Sequence, residues 1–256
     1  MKRGTVRQMS KLGRRHRLTA VAAVAVLGGG FAVDAWLNQD PEAKVYEGPV
    51  AGQLLLVSSD GQTLTLSIGW GCEKQPELVA RETAGTVKVS LRHTVPPGFC
   101  DPGGIGRITT HLNRPLGTRA LNDATGKPVI HFDERNLLRP AFLPENYYPY
   151  PAGRMVELPG LAPLPTDTPA WASGYRLGTD PEQGSLIISQ TLRNSTPPTG
   201  RATGVKGHPA TITQPDPHDG PRSLTWSDGT YTFVVTTGGP PRLSDQELIH
   251  VAENLG

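Results

Sequence analysis

The stretch RSLTWSDGTYTFVV, residues 222–235, decides how the C-terminal part of this chain folds. Ser223–Trp226 and Tyr231–Thr236 are β-prone runs on either side of Ser227-Asp228-Gly229. Asp-Gly between such runs is a strong short-range hairpin signal. Directly downstream, in LSDQELIHVAENL (243–255), the apolar period changes to that of a helix. Ser244 with Glu247 three residues on makes a capping box. Leu248, Val251, Ala252 and Leu255 then fall on one face at 3.6-residue spacing. Upstream, Ser185–Leu192 and Thr203–Thr213 read as further strands. An amphipathic helix laid on an antiparallel sheet is an α+β arrangement, so residues 171–256 are expected to form one α+β module.

Residues 140–170 are a Pro-rich connector with Pro140, Pro144, Pro149, Pro151, Pro159, Pro163, Pro165 and Pro169, and with Tyr147, Tyr148 and Tyr150 among them. Proline at that density opposes helix or central strand and favours extended, semi-rigid backbone. Before it, residues 45–139 are expected to form a small antiparallel β module. Gln53–Val57 and Thr63–Ile68 are joined through Ser58-Ser59-Asp60-Gly61, and Thr86–Leu91 alternates with Val87, Val89 and Leu91 on one face. Arg107–Leu112 and Pro128–Phe132 supply two more strands. The chain has two cysteines, Cys72 and Cys100. In an oxidising compartment they are expected to pair, closing a 29-residue loop and contributing about 3.5 kcal/mol on the chain-entropy account. A zinc site lacks the CxxC spacing it needs.

The compartment follows from the N-terminus. Seven Lys and Arg residues precede the first acid, Asp34, and Leu18–Val33 (LTAVAAVAVLGGGFAV) carries no charge. Extended to Leu37 the apolar run reaches 20 residues, about the length that spans hydrocarbon. The basic tail, residues 1–17, stays on the cytoplasmic side and the rest faces out. Two readings of residues 18–37 stand. One is a single-pass membrane segment with the N-terminus inside. The other is a signal peptide cleaved near Ala35, since Val33-Asp34-Ala35 has small residues at the right places and Gly28–Gly30 each weaken a helix by about 1 kcal/mol. Beyond residue 35 the chain holds 18 basic and 22 acidic residues, a net of −4, which argues against nucleic acid as a partner.

The runs GVKGHPATI, RSLTWSDGTYTFVV and LSDQELIHVAENL, taken in order, resemble a bacterial cell-surface domain of unknown function. In that family an NGxxG strand precedes an LxWxxxGxxYxLxG hairpin and a closing LSxEELxxIAESL helix. Here Gly207, His208 and Pro209 stand in the strand. Leu224, Trp226, Gly229, Tyr231 and Phe233 fill the hairpin, and Leu243, Ser244, Glu247, Leu248, Ala252 and Leu255 fill the helix. The match covers about the last 55 residues, and every matched residue is structural. The resemblance implies an ectodomain of the kind found on anti-sigma-like envelope proteins, similar in form to lipoprotein carriers and without enzymatic activity. The module of residues 45–139 resembles no family.

No catalytic, cofactor or metal site emerges from the residues. His93, His111 and His131 lie in or beside expected strands, and His208 and Asp216-Pro217-His218-Asp219 lie in a Pro-rich turn region. Asp133 and Glu134 are adjacent and point to opposite faces of a strand. The glycines of Asp101-Pro102-Gly103-Gly104-Ile105-Gly106 follow a turn and lead into no helix, so they make no phosphate cradle. Asn194-Ser195-Thr196 is a sequon without consequence in a bacterial host. The sequence-level expectation is therefore a membrane-anchored extracytoplasmic protein with a sensing or regulatory role at the cell envelope, and an envelope protein as partner. A secreted carrier of apolar ligands or lipoproteins, and a secreted hydrolase, are the alternatives.

Overall fold

Alternation of apolar and polar residues, punctuated by Gly and Asn-like turns, gives a chain that is mostly strand. The computed structural model describes residues 43–50, 55–98, 103–150, 168–178, 183–192, 198–214 and 220–256, all within one unit spanning Pro41–Gly256. The first strands are β1 (Lys44–Gly48), β2 (Leu55–Val57), β3 (Thr63–Trp70), β4 (Glu77–Glu82) and β5 (Thr86–Val95). They are followed by β6 (Gly104–His111), β7 (Ala120–Asp123), β8 (His131–Asp133) and a 3-10 turn at Glu134–Asn136. The second half holds β9 (Tyr147–Tyr150), β10 (Ala170–Leu177), β11 (Ser185–Thr191), β12 (Arg201–Val205), β13 (His208–Thr213), β14 (Arg222–Ser227) and β15 (Thr232–Gly238). The chain closes with helix α1 (Asp245–Glu253).

Three sheets result. The first has the order β1-β5-β4, with β7 and β1 pairing with successive halves of β5; the second is β6-β3-β2-β8. These two face each other across one apolar core that includes Leu55, Leu64, Leu66 and Ile108 from one side and Leu78, Val87 and Val89 from the other. The third sheet has seven strands, β12-β13-β14-β15-β11-β10-β9. Helix α1 covers one of its faces, burying Leu248, Val251, Ala252 and Leu255 against Leu186, Ile188, Leu224 and Val235. Ser244 caps the helix, accepting from the Glu247 N–H while the Glu247 carboxylate accepts from the Ser244 N–H, as the sequence predicts.

Several expectations are corrected. The α+β class gives way to a mostly β chain, with one nine-residue helix among the described residues. A helix that short covers only part of a seven-stranded sheet, so strand pairing carries the architecture. The first module is not purely antiparallel, because β5 pairs with β7 and β2 with β8 in parallel. Among the described residues no helix is long and apolar enough to cross a membrane; the segment 18–37 on which that expectation falls lies outside them. The expected Cys72–Cys100 pairing falls partly outside the described residues, within which Cys72 is disulfide-bonded. Cys100 lies outside them, and Cys72, in the bend after β3, is not a free thiol. The connector is also more than a spacer, since Tyr147–Tyr150 is the edge strand β9. Pro149 is tolerated there because an edge strand leaves one side unpaired. Finally, Thr203–Thr213 is two strands, not one. They reverse at Lys206-Gly207, with φ of 49° and 80°, the paired positive values of a tight hairpin turn.

Leu56 and Phe132 point away from the first core and bury against Trp171 of β10. The Phe132 and Tyr231 rings sit 5.9 Å apart. Beside them the buried Gln190 amide donates to the Asn136 carbonyl at 2.6 Å and accepts from the Leu138 N–H at 3.0 Å. Arg139 and Gly256 then exchange two backbone hydrogen bonds of 2.9 Å. The first half of the chain is thereby fixed to both the third sheet and the C-terminus.

Candidate ligand-binding cleft

The residues singled out in the sequence do not converge. His93 Nδ1 lies 2.7 Å from Glu73, and its ring stacks on Tyr46 with centroids 4.7 Å apart, so it acts as a strut between β1, β5 and the bend after β3. His111 meets the Thr63 hydroxyl at 3.1 Å on the edge strand β6. His131 opens β8, at the opposite edge of the same sheet. Asp133 pairs with Arg135 and caps the 3-10 turn. The Arg135 hydrogen bond holds its carboxyl below the usual range. Glu134 pairs with Arg139. Among the described residues no three His, Cys, Asp or Glu side chains gather in a metal-binding group. Residues 194–196 and 216–219 lie outside the described residues.

A different group of side chains does converge, where the second sheet meets the edge of the third. Strand register places Trp70 opposite Gly104, and the indole lies along the glycine-rich start of β6. A Cβ on Gly104 would stand 2.5 Å from Trp70 Cζ2, and one on Gly106 would stand 3.1 Å from Cη2. Two glycines spaced i, i+2 on one face are therefore required for the ring to lie flat, an aromatic covering a bare strand. Trp70, Gly103, Gly104, Ile105 and Tyr150 line an open depression of about 470 Å³. Ile105 is 54% exposed. The Arg176 guanidinium rests 3.9 Å above the Tyr150 ring.

Ile105 and Arg107 share the other side of β6. From there Arg107 reaches over the Trp171 ring at 5.4 Å. Burial lowers its pKa from the ordinary guanidinium value, and the positive charge of Arg139 acts in the same direction. Burial raises the phenol of Tyr175, which both arginines influence. Directly across from Arg107 is Ser67, whose hydroxyl is buried without a hydrogen-bond partner. Arg107 and Ser67 thus share the face of the second sheet on which Leu56 and Phe132 meet Trp171, while the Trp70 ring lies along Gly104 and Gly106 on the opposite face. Rings of this kind offer large, rigid contact area, and guanidiniums on rings retain donors for a further partner.

This cleft was not found by reading motifs. Its signal was the pattern Gly104-Ile105-Gly106 set in a strand, and only the pairing with Trp70 gives that pattern meaning. No protein family, curated protein or solved structure matches the chain.

Proposed function

We propose that this chain is an extracytoplasmic binding protein of the cell envelope, carried outward by its basic-then-apolar N-terminal segment, that recognises a target by contact and performs no bond chemistry. The observation that supports this most is the cleft mouth. There Trp70 and Tyr150 flank a depression of about 470 Å³, and the Arg176 guanidinium rests on the Tyr150 ring. Tryptophan, tyrosine and arginine are the side chains enriched where binding energy concentrates. A carrier of apolar ligands would instead need space between α1 and its sheet, where Leu248, Val251 and Ala252 are each 0% exposed.

The test has two parts. Intact cells are treated with a membrane-impermeant lysine reagent, and a photo-cross-linking amino acid is placed at Ile105 or, as control, at Val45 of β1. Labelling of intact cells together with an adduct at position 105 and none at 45 is the expected result. Labelling only after lysis sinks the external location. Equal adducts at both positions, or none, sink the cleft as the binding surface.

A further inference from the structure

We infer that the free edge of β12 takes an extended, uncharged peptide segment of another protein, which extends the seven-stranded sheet by one antiparallel strand. This surface is separate from the cleft. Three observations carry it.

The first is where the edge points its backbone groups. Among the described residues β12 pairs with β13 alone. The two strands join through the two-residue turn Lys206-Gly207, so Val205 and His208 form a hydrogen-bonded pair and the pairs alternate from there. Arg201 and Thr203 then bond to β13, whereas Ala202 and Gly204 turn their N–H and C=O groups outward. Pro209, which has no N–H to donate, stands opposite Gly204, as that alternation allows. Both outward residues are exposed, and a Cβ on Gly204 would meet only the His208 carbonyl, at 3.6 Å. The second is the lack of a guard. Proteins blunt an open edge with proline, charge, short length or a cover. Here β9 has Pro149, β8 is three residues long, and β7 meets Pro128 in a bridge. Charged residues such as Lys44 and Arg81 stand on β1 and β4, and Gln75 reaches the Arg107 carbonyl of β6 at 3.5 Å. The edge of β12 has none of these, because its basic residues are turned onto the helix. Arg201 pairs with Asp245, and Lys206 Nζ donates to the Leu255 carbonyl. The third is a place for a side chain. Pro198, Thr199, Ile212 and Thr213 help to line a depression of about 620 Å³ at the start of β12, which suits an apolar side chain. In strand addition, main-chain bonds supply affinity and such pockets supply specificity. A second copy of this chain is a poorer occupant. Two five-residue edges in contact bury far less than the roughly 1,200 Å² of a stable interface.

The test pans the full-length protein against a display library of random linear peptides, then titrates the selected peptides in solution. In the free protein, amide exchange is expected to be fast at Ala202 and Gly204 and slow at Thr203 and Val205. With a selected peptide bound, the first two should slow by about tenfold or more. Ala202→Pro removes an outward N–H that β13 does not use, and Ala202→Lys supplies the missing guard. Each is expected to weaken binding about tenfold, the worth of one or two hydrogen bonds. Where Ala202→Pro fails to fold, Ala202→Lys and the exchange at Gly204 decide. Selected peptides should be β-prone and free of proline in the paired stretch. A library that yields no binder, binding indifferent to Ala202→Lys, or amides at 202 and 204 already protected in the free protein overturns the proposal. Self-association abolished by Ala202→Lys, without peptide binding, makes a second copy the occupant and overturns it too. Adducts at position 105 report on the cleft alone, so either reading can fail without the other.

Discussion

The seven-stranded sheet and the pair of sheets before it are built from the same residue types by opposite strategies. In the seven-stranded sheet, β12 through β15 are consecutive neighbours, as are β9 through β11, and only the β15–β11 contact joins distant segments. In the first two sheets the pairings β1–β5, β5–β7, β3–β6 and β2–β8 all skip elements. Local hairpins close short loops at small entropic cost, whereas skipped pairings order long loops before any contact forms. The seven-stranded sheet adds a capped helix over its core. The first pair adds charge, with Glu47 of β1 bound by both nitrogens of Arg81 on β4 at 2.7 Å and by Ser90 on β5 between them at 3.0 Å. One region is held by apolar closure, and the other is stitched across its strands.

The largest expected effect breaks the first of these. Leu248 is fully buried between α1 and the sheet, so Leu248→Ala is expected to cost about 2–5 kcal/mol by cavity formation. Hydrogen exchange should then rise first in β12–β15 while β3 and β5 stay protected; uniform loss of protection would show that the two regions open as one. Gln190→Leu addresses their junction. It strands the Asn136 carbonyl and the Leu138 N–H, at about 1–3 kcal/mol. The expected readout is exposure of Trp171, seen as a red shift in tryptophan emission relative to the unmutated protein. Ser244→Ala removes half of the capping box and should cost about 1 kcal/mol, visible in chemical denaturation with an unchanged slope. A cost near zero would mean that packing alone holds α1.

The same contrast explains what the sequence makes legible. Where neighbours in the chain are neighbours in the sheet, turn chemistry announces the pairing: Asp228-Gly229 marks β14–β15, and the Ser244–Glu247 box marks the start of α1. The strand reversal at Lys206-Gly207 is marked only weakly, by the three-residue step from Val205 to His208 that breaks the period of two, because Lys lends no turn signal of its own. Where pairing skips elements, no local residue reports it. β4 and β7 are short, carry charges, and become strands only because β5 lies between them. The cleft suffers most from this. Trp70 and Gly104 are 34 positions apart. Cross-strand and cross-sheet contact, not spacing in the chain, makes them a site. Of the histidines, the more obvious candidates in the sequence, His93 is held by Glu73 and Tyr46 and His111 by Thr63, and His131 lies at the far edge of the second sheet from His111.

The smallest expected effect sharpens the comparison by pH. Glu47 is held at about 2, against an ordinary 4.5, first by its hydrogen bond to Arg81 and then by the one to Ser90. Glu82 and Asp123 of the same region are lowered as well, by Arg119 and by Thr125 respectively. A carboxylate whose folded pKa lies below its unfolded one binds fewer protons when folded. Its stabilisation is present above the unfolded value and is lost as pH falls towards the folded one. The window for Glu47 is therefore from about 4.5 down to about 2. Glu47→Gln keeps the shape and removes the titration. The difference in melting temperature between parent and variant should be constant above pH 5 and shrink steadily as pH drops to 2.5. Exchange in β1 should rise over the same interval in the parent and stay flat in the variant. A difference that is the same at pH 2.5 and pH 6 would mean that the strands hold without the charge, leaving apolar closure as the common principle of both regions.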